Sequence, residues 1–340
     1  MVQSVTGPVS ASELGKTMMH EHLAPRGASD RSSGRHAFVP SQTIDVMERE
    51  VRQLRDHGVS TVVDVTPYGK GREPRVLQRL SASTGMTIVA ATGFYKEPAC
   101  PAFAHQADVH ELTRFMVEEI ERGIEDTGVK PGIIKVGSSK GTITATERKI
   151  FLAAAEAHRL TGLPITTHTT LGTMGREQAD LLLESGVDPA RIVIGHCDLN
   201  RQPSYHLQIL KTGVTIAFDT IGKEVFHYRR HQQAGYERYA YLLEEYHIED
   251  EERLKVLVEL LRQGFASQIV MSSDILWSEG LSNAATIGEW GYSYLWERFV
   301  PRLLAAGVSQ QTVETMVVDN PRAVLTSERW SKGPGAGDGV

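Results

Sequence analysis

The stretch "ATERKIFLAAAEAHRLTGLPITTHT", residues 145–169, holds one helix and one strand in sequence, and the fold is read outward from it. Residues 145–161 have helical periodicity. Gly162 follows the last turn, where glycine takes the left-handed conformation cheaply and stops the helix. Residues 164–169 then form a short, β-branched run that reads as a strand and carries His168 near its end. The same alternation recurs along the chain. Strands are expected at 17–22, 60–66, 87–95, 132–137, 164–169, 191–197, 214–221 and 268–275. Helices are expected at 42–57, 73–83, 110–123, 145–161, 175–185, 203–212 and 237–263, with a last helical region at 294–306 and 309–318. Near-continuous apolar strands belong to parallel sheets covered on both faces. Eight β-then-α units predict an α/β fold, a (β/α)8 TIM barrel, in one domain over 1–328. A doubly wound open sheet is the alternative, but no G-x-G-x-x-G follows the first strand to support a dinucleotide site. Residues 329–340, with little apolar content, are expected to be a disordered tail.

Composition narrows the function. The chain has 340 residues, of which 41% are apolar and 23% charged, ordinary for a globular protein. A net charge of −6 supplies no basic surface for nucleic acid. No apolar run approaches a membrane span of roughly 18 residues. The first residues lack an apolar signal core, so a cytoplasmic location is expected. The two cysteines, Cys100 and Cys197, make neither a disulfide framework nor a zinc-finger spacing. Any metal must therefore rely on nitrogen and oxygen ligands.

Such ligands fall at the carboxyl ends of the expected strands, where a TIM barrel keeps its chemistry. His20 and His22 end the first strand in "TMMHEH". Strand alternation puts both imidazoles on one face and turns Glu21 away. Lys135 lies in the fourth strand, His168 ends the fifth, His196 the sixth and Asp274 the eighth. Each alone has an ordinary explanation: a hydrogen-bonded structural histidine, a helix cap, an edge lysine. Their joint placement at one mouth does not. Four histidines and a carboxylate suit two borderline divalent metals such as zinc. A lysine buried beside two dications would have its pKa depressed by burial and by like charge. Its neutral amine could take up carbon dioxide as a carbamate, turning a repelled cation into a two-oxygen bridging ligand.

Taken in order, these residues resemble the phosphotriesterase-like family of the amidohydrolase superfamily. The likeness runs from about residue 6 to 326. It is carried by HEHL at 20–23, ATGFY at 91–95, THTTLGTMG at 167–175, IGHCDL at 194–199, FDTIGK at 218–223 and DNPRAVL at 319–325. Within the family it is nearest to the bacterial phosphotriesterase homology proteins and the phosphotriesterase-like lactonases. Some close relatives have glutamate at the bridging position, where this chain has Lys135. The resemblance implies a binuclear hydrolase in which His20, His22 and Asp274 hold one metal and His168 and His196 the other. Carbamylated Lys135 and a hydroxide would bridge them. Asp274 would take the proton as the hydroxide attacks. Zinc is the first expectation for the metals, with cobalt, manganese or iron as alternatives.

The substrate is less sharply defined. Tyr95 resembles the tyrosine that lactonases of the family place beside the metals. The arginine of their D-R-Y-G string is absent, since residues 219–222 read Asp-Thr-Ile-Gly. Lys223 follows, and Arg229 and Arg230 come soon after. As in relatives that cleave phosphorylated sugar lactones, Lys223 could hold the anion of such a substrate, or it could be a solvated loop charge. Trp277, Trp290 and Tyr292 could form an apolar lid over a leaving group, or merely cover the barrel end. The expected function is hydrolysis of a lactone or carboxylic ester. Phosphotriester hydrolysis is one alternative, and a non-catalytic metal-binding or sensor protein on the same barrel is another. A homodimer acting on a small molecule is expected.

Overall fold

The structure, a computed structural model, describes residues 1–23, 41–224, 248–275 and 291–326. Trp277, Trp290, Arg229, Arg230 and the expected tail at 329–340 lie outside the described residues, as does the first part of the helix expected at 237–263.

Two short strands, β1 (Val2–Ser4) and β2 (Gly7–Val9), pair antiparallel at the start of the chain. Eight parallel strands follow: β3 (Lys16–Glu21), β4 (Val59–Asp64), β5 (Thr87–Gly93), β6 (Ile133–Lys135), β7 (Ile165–Thr166), β8 (Ile192–Ile194), β9 (Thr215–Phe218) and β10 (Ile269–Met271). Each pairs with its neighbour in sequence order. Backbone and side-chain hydrogen bonds draw the first and last strands together beyond β10. His20 N–H donates to Ser272 Oγ (3.0 Å). Asp274 N–H donates to the His20 carbonyl (3.1 Å), and His22 N–H to that of Ile275 (3.2 Å). With helices between the strands, this is the expected (β/α)8 barrel.

Residues alternate between two buried apolar clusters along each strand. Val63, Val89, Ile133, Val193, Ala217 and Val270 fill the barrel interior. Their neighbours Val62, Ile88, Ile134, Ile194, Ile216 and Met271 pack outward in the larger cluster shared with the helices. This period of two decides which side chains can face the mouth. Lys135 shares a face with Ile133, Asp219 with Ala217, and Ser272 with Val270.

The helix at 145–161 forms as read, Ala145–Thr161. Thr144 and Glu147 cap its start reciprocally, and Gly162 ends it at φ 75°. The helix expected at 237–263 is corrected at its start: Glu249 is extended and caps the helix reciprocally with Glu252, so the helix runs only over Asp250–Arg262 among the described residues. Three further differences are physical. The β1–β2 hairpin has strands of only three residues, too short for a periodicity to register, yet Val2 seals the interior cluster. A short helix, Ala102–Gln106, precedes Val109–Arg122. The strands also stop before their expected ends. β7 keeps two residues, but backbone hydrogen bonds to its neighbours continue past it, Thr167 N–H to the Val193 carbonyl and His168 N–H to that of Val136 (2.9 Å each), and hold His168 at the mouth.

Candidate metal centre

The first strand does not deliver its histidines by simple alternation. Met18 pairs with Val62 and Glu21 with Asp64, three steps against two, so β3 holds one extra residue in a bulge. A bulge re-aims the side chains beyond it. Met19 faces the interior cluster, and His20, the next residue, is nonetheless turned to the centre. His22 lies just past the strand end. The pair expected from strand period is present, but the bulge makes it.

Six side chains meet at the mouth, all nearly removed from solvent. His20 Nε2 lies 3.1 Å from Lys135 Nζ and 3.6 Å from Asp274 Oδ1. His22 Nε2 is 3.2 Å from the same oxygen, and its Nδ1 is 2.6 Å from Thr66 Oγ1. The His196 ring stands 4.7 Å from that of His20 and 4.6 Å from that of His168, centroid to centroid. Lys135 Nζ donates to the Thr167 carbonyl (3.1 Å). Close backbone approach makes this possible. A Cβ on Gly93 would sit 2.1 Å from the Lys135 carbonyl oxygen, and one on Gly195 would sit 2.3 Å from that of Thr167. The glycines of ATGFY and IGHCDL are therefore steric requirements of the site.

Asp219 is a site residue that the sequence reading misses. It is fully buried. One oxygen accepts from both His196 N–H and His196 Nδ1 (2.8 Å each). The other lies 2.6 Å from His20 Nδ1, off the hydrogen-bonding direction. One carboxylate thus stands behind two imidazoles, fixing which nitrogen each presents to the mouth. The rule that finds the other residues, a polar side chain ending a barrel strand, also reaches Asp219 at the end of the seventh. The absent arginine beside it draws the eye instead.

Electrostatics follow from burial. Desolvation, then the Lys135 charge, pulls the His20 pKa down to about 3. Burial and the neighbouring His196 hold His168 well below its usual value. Burial alone would lower His196 too, but the Asp219 carboxylate outweighs it and raises the group. Burial lowers Lys135 to about 8, the Asp219 and Asp274 charges resisting. Burial opposes ionisation of Asp274, yet Lys223 and the histidines keep its carboxyl well below the usual range. The donor set fits a metal. One nitrogen each from His20 and His196 and an oxygen of Asp274 lie within 4.8 Å of one another. Burial thus favours the neutral form of His20 and His168, the form that ligates. As an ammonium Lys135 cannot ligate; its lowered pKa favours the amine that could be carbamylated.

Three candidate substrate residues are placed less simply. Lys223 is 1% exposed and donates to Asp274 Oδ2, so it is no solvated loop charge. The Tyr95 hydroxyl lies 3.2 Å from His168 Nδ1. Lys70 and Lys96 place their ammoniums 4.5 and 5.7 Å from the centre of the Tyr95 ring. Tyr292 is buried, its hydroxyl donating to the His22 carbonyl (2.8 Å), so it braces the first strand end instead of covering a leaving group.

The model of the Phosphotriesterase family matches residues 1–325. This chain belongs to the phosphotriesterase family. It is 35% identical to the phosphotriesterase homology protein of Escherichia coli (strain K12) over 92% of this chain and 98% of that one. It is 28% identical to the N-acetyltaurine hydrolase of Xenopus tropicalis over 96% and 97%. A solved mutant of the Deinococcus radiodurans PTE-like lactonase superposes with a TM-score of 0.81, at 35% identity, over 96% of this chain and all of that one. Membership makes this family chain a metal-dependent hydrolase acting on ester bonds, and the non-catalytic sensor reading falls away. Among the described residues, no helix is long and apolar enough to cross a membrane.

Proposed function

We propose that this family member hydrolyses a lactone or carboxylic ester with an anionic group, using two divalent metal ions, zinc first. His20, His22 and Asp274 would hold one ion and His168 and His196 the other. Lys135, carbamylated by addition of carbon dioxide with loss of a proton, would bridge the two. When bound, the ions would lower the pKa of water and polarise the substrate oxygen. Asp219 keeps the imidazoles of His20 and His196 turned to the centre. Asp274, held ionised by Lys223 and the histidines, is set to accept the proton from the attacking water and return it to the leaving oxygen. Tyr95 bounds the substrate side next to His168.

The observation that carries this reading is the convergence of six polar side chains, from five strand ends, at one barrel mouth. The anionic character is supported by Lys70 and Lys96, whose ammoniums flank Tyr95. Lys223 bears on the same substrate through Asp274; Arg229 and Trp277, substrate candidates by sequence, lie outside the described residues. The protein would act in the cytoplasm as a homodimer.

The test is a hydrolysis panel on zinc-loaded protein, with metal per chain measured alongside. It sets lactones with and without phosphate beside neutral aryl esters and phosphotriesters. About two metals per chain and fastest turnover of an anionic lactone or ester are expected. Turnover confined to phosphotriesters would favour the triesterase alternative, and a metal-free inert protein would end the hydrolase mechanism.

A further inference from the structure

We propose that Glu21, the residue between the two histidines of HEH, is a positioning residue that sets the backbone of Asp274. Glu21 faces away from the mouth and is completely buried. Its carboxyl group meets three donors, all from the short segment after β10. Oε1 accepts from Ser272 Oγ and from Ser273 N–H, and Oε2 accepts from Ile275 N–H, each at 2.8 Å. The last two flank Asp274 on either side in sequence. Asp274 itself has φ 48°, a left-handed conformation that a residue with a Cβ holds only when its surroundings over-determine it.

The donors explain how that conformation is kept. Ile275 N–H, turned to the Glu21 carboxyl group, fixes the peptide plane that follows Asp274, and Ser273 N–H fixes the plane on the far side of Ser273. Asp274 N–H is meanwhile tied to the His20 carbonyl. From that backbone the Asp274 side chain reaches His20 and His22, its Oδ1 lying 3.6 and 3.2 Å from their Nε2 atoms. Glu21 therefore couples its two neighbouring imidazoles to the carboxylate from the opposite end of the chain, making one rigid unit of three groups. Burial pushes the Glu21 pKa up to about 8 against the pull of these donors. Both tethers survive protonation, because a carboxylic acid keeps an acceptor at each oxygen and its O–H can turn to Ser272 Oγ. An amide of the same shape does not suffice. In either orientation a glutamine here would set its NH2 against one of the two backbone N–H groups, breaking that tether.

The test uses full-length Glu21→Gln, which is nearly isosteric, with Glu21→Ala as a harsher companion. Zinc per chain is measured after dialysis against limiting zinc, with kcat and KM on a neutral aryl ester. Glu21→Gln is expected to lose roughly tenfold to a hundredfold in zinc affinity at one of the two sites, as misoriented ligands do. The kcat should fall with little change in KM. A crystal structure of the variant should show Asp274 leaving the left-handed region. A lowered melting temperature with wild-type zinc content, kcat and Asp274 backbone would make Glu21 merely structural and overturn the proposal. The zinc readout rests on the hydrolase reading above. Should the wild type bind no zinc, that reading fails by itself, and the Asp274 backbone in the variant still decides the role of Glu21.

Discussion

His196 and His168 leave adjacent strands, stand 4.6 Å apart and are supported in opposite ways. His196 is held by Asp219 at both its backbone N–H and its ring. His168 rests against hydroxyls, those of Tyr95 and of Thr170 at 3.2 Å. The consequence is electrical. The carboxylate outweighs burial at His196, while burial governs His168. One side of the mouth, from His20 and His22 round to Asp274 and His196, is built on buried carboxyl groups. The other is built on an aromatic hydroxyl and the two lysines around it. The buried carboxyl support lies on the first side, and the proposed substrate contact on the second.

Lys135 belongs to both sides, so its loss should erase the comparison altogether. Lys135→Ala is expected to lose one or both metals and nearly all activity, because two dications without a bridging anion repel at close range. Added bicarbonate or short carboxylates should restore part of it. Metal analysis and rate measurement check this, and wild-type values in the variant would remove the carbamate from the mechanism. Asp274→Asn strikes the carboxylate side alone. The fold should persist, and turnover should fall by about 10²–10⁴, the usual loss when a general base is removed. Near-normal turnover at full metal content would exclude Asp274 as the proton acceptor.

Asp219→Asn tests the support behind the ligands. An amide can still accept from one imidazole but not hold both, so metal affinity or rate should drop by roughly tenfold to a hundredfold. Equal affinity in the variant would make Asp219 a spectator. Lys223→Ala sharpens the division differently. Since the ammonium reaches Asp274, the variant should slow neutral and anionic esters to the same degree, by roughly tenfold, the scale of one charge-assisted hydrogen bond. A loss restricted to anionic substrates would show that Lys223 grips the substrate directly.

The alternation of helical and β-branched runs makes the barrel legible, because each strand is short and each helix carries its own stop, as Gly162 does. The six residues of the mouth are legible from one rule, that barrel chemistry gathers at strand ends. What escapes is set by tertiary geometry. The bulge in β3 is one residue in a register, and no composition marks it. Glu21 reads as a side chain turned away until its three donors, some 250 residues distant, are seen. Lys223 looks like a loop charge until Asp274, 51 residues on, closes over it. Arg229 and Trp277 lie beyond the described residues.

The smallest effect is expected on the hydroxyl side. Tyr95→Phe removes the group 3.2 Å from His168 Nδ1 but keeps the ring on which Lys70 and Lys96 rest. His168 retains its contact with Thr170, so its orientation should survive and metal content should stay near the wild-type value. One neutral hydrogen bond contributes about 0.5–1.5 kcal/mol, which corresponds to a loss of roughly threefold to tenfold in kcat/KM. The loss should be similar for anionic and neutral esters, since the two ammoniums are untouched. Tyr95→Ala takes away the ring as well and should penalise the anionic ester further, through a higher KM. Parallel kinetics on one charged and one neutral ester separate the two contributions. If Tyr95→Phe instead released metal, the hydroxyl would be supporting His168 as firmly as Asp219 supports His196, and the two sides of the mouth would be built alike.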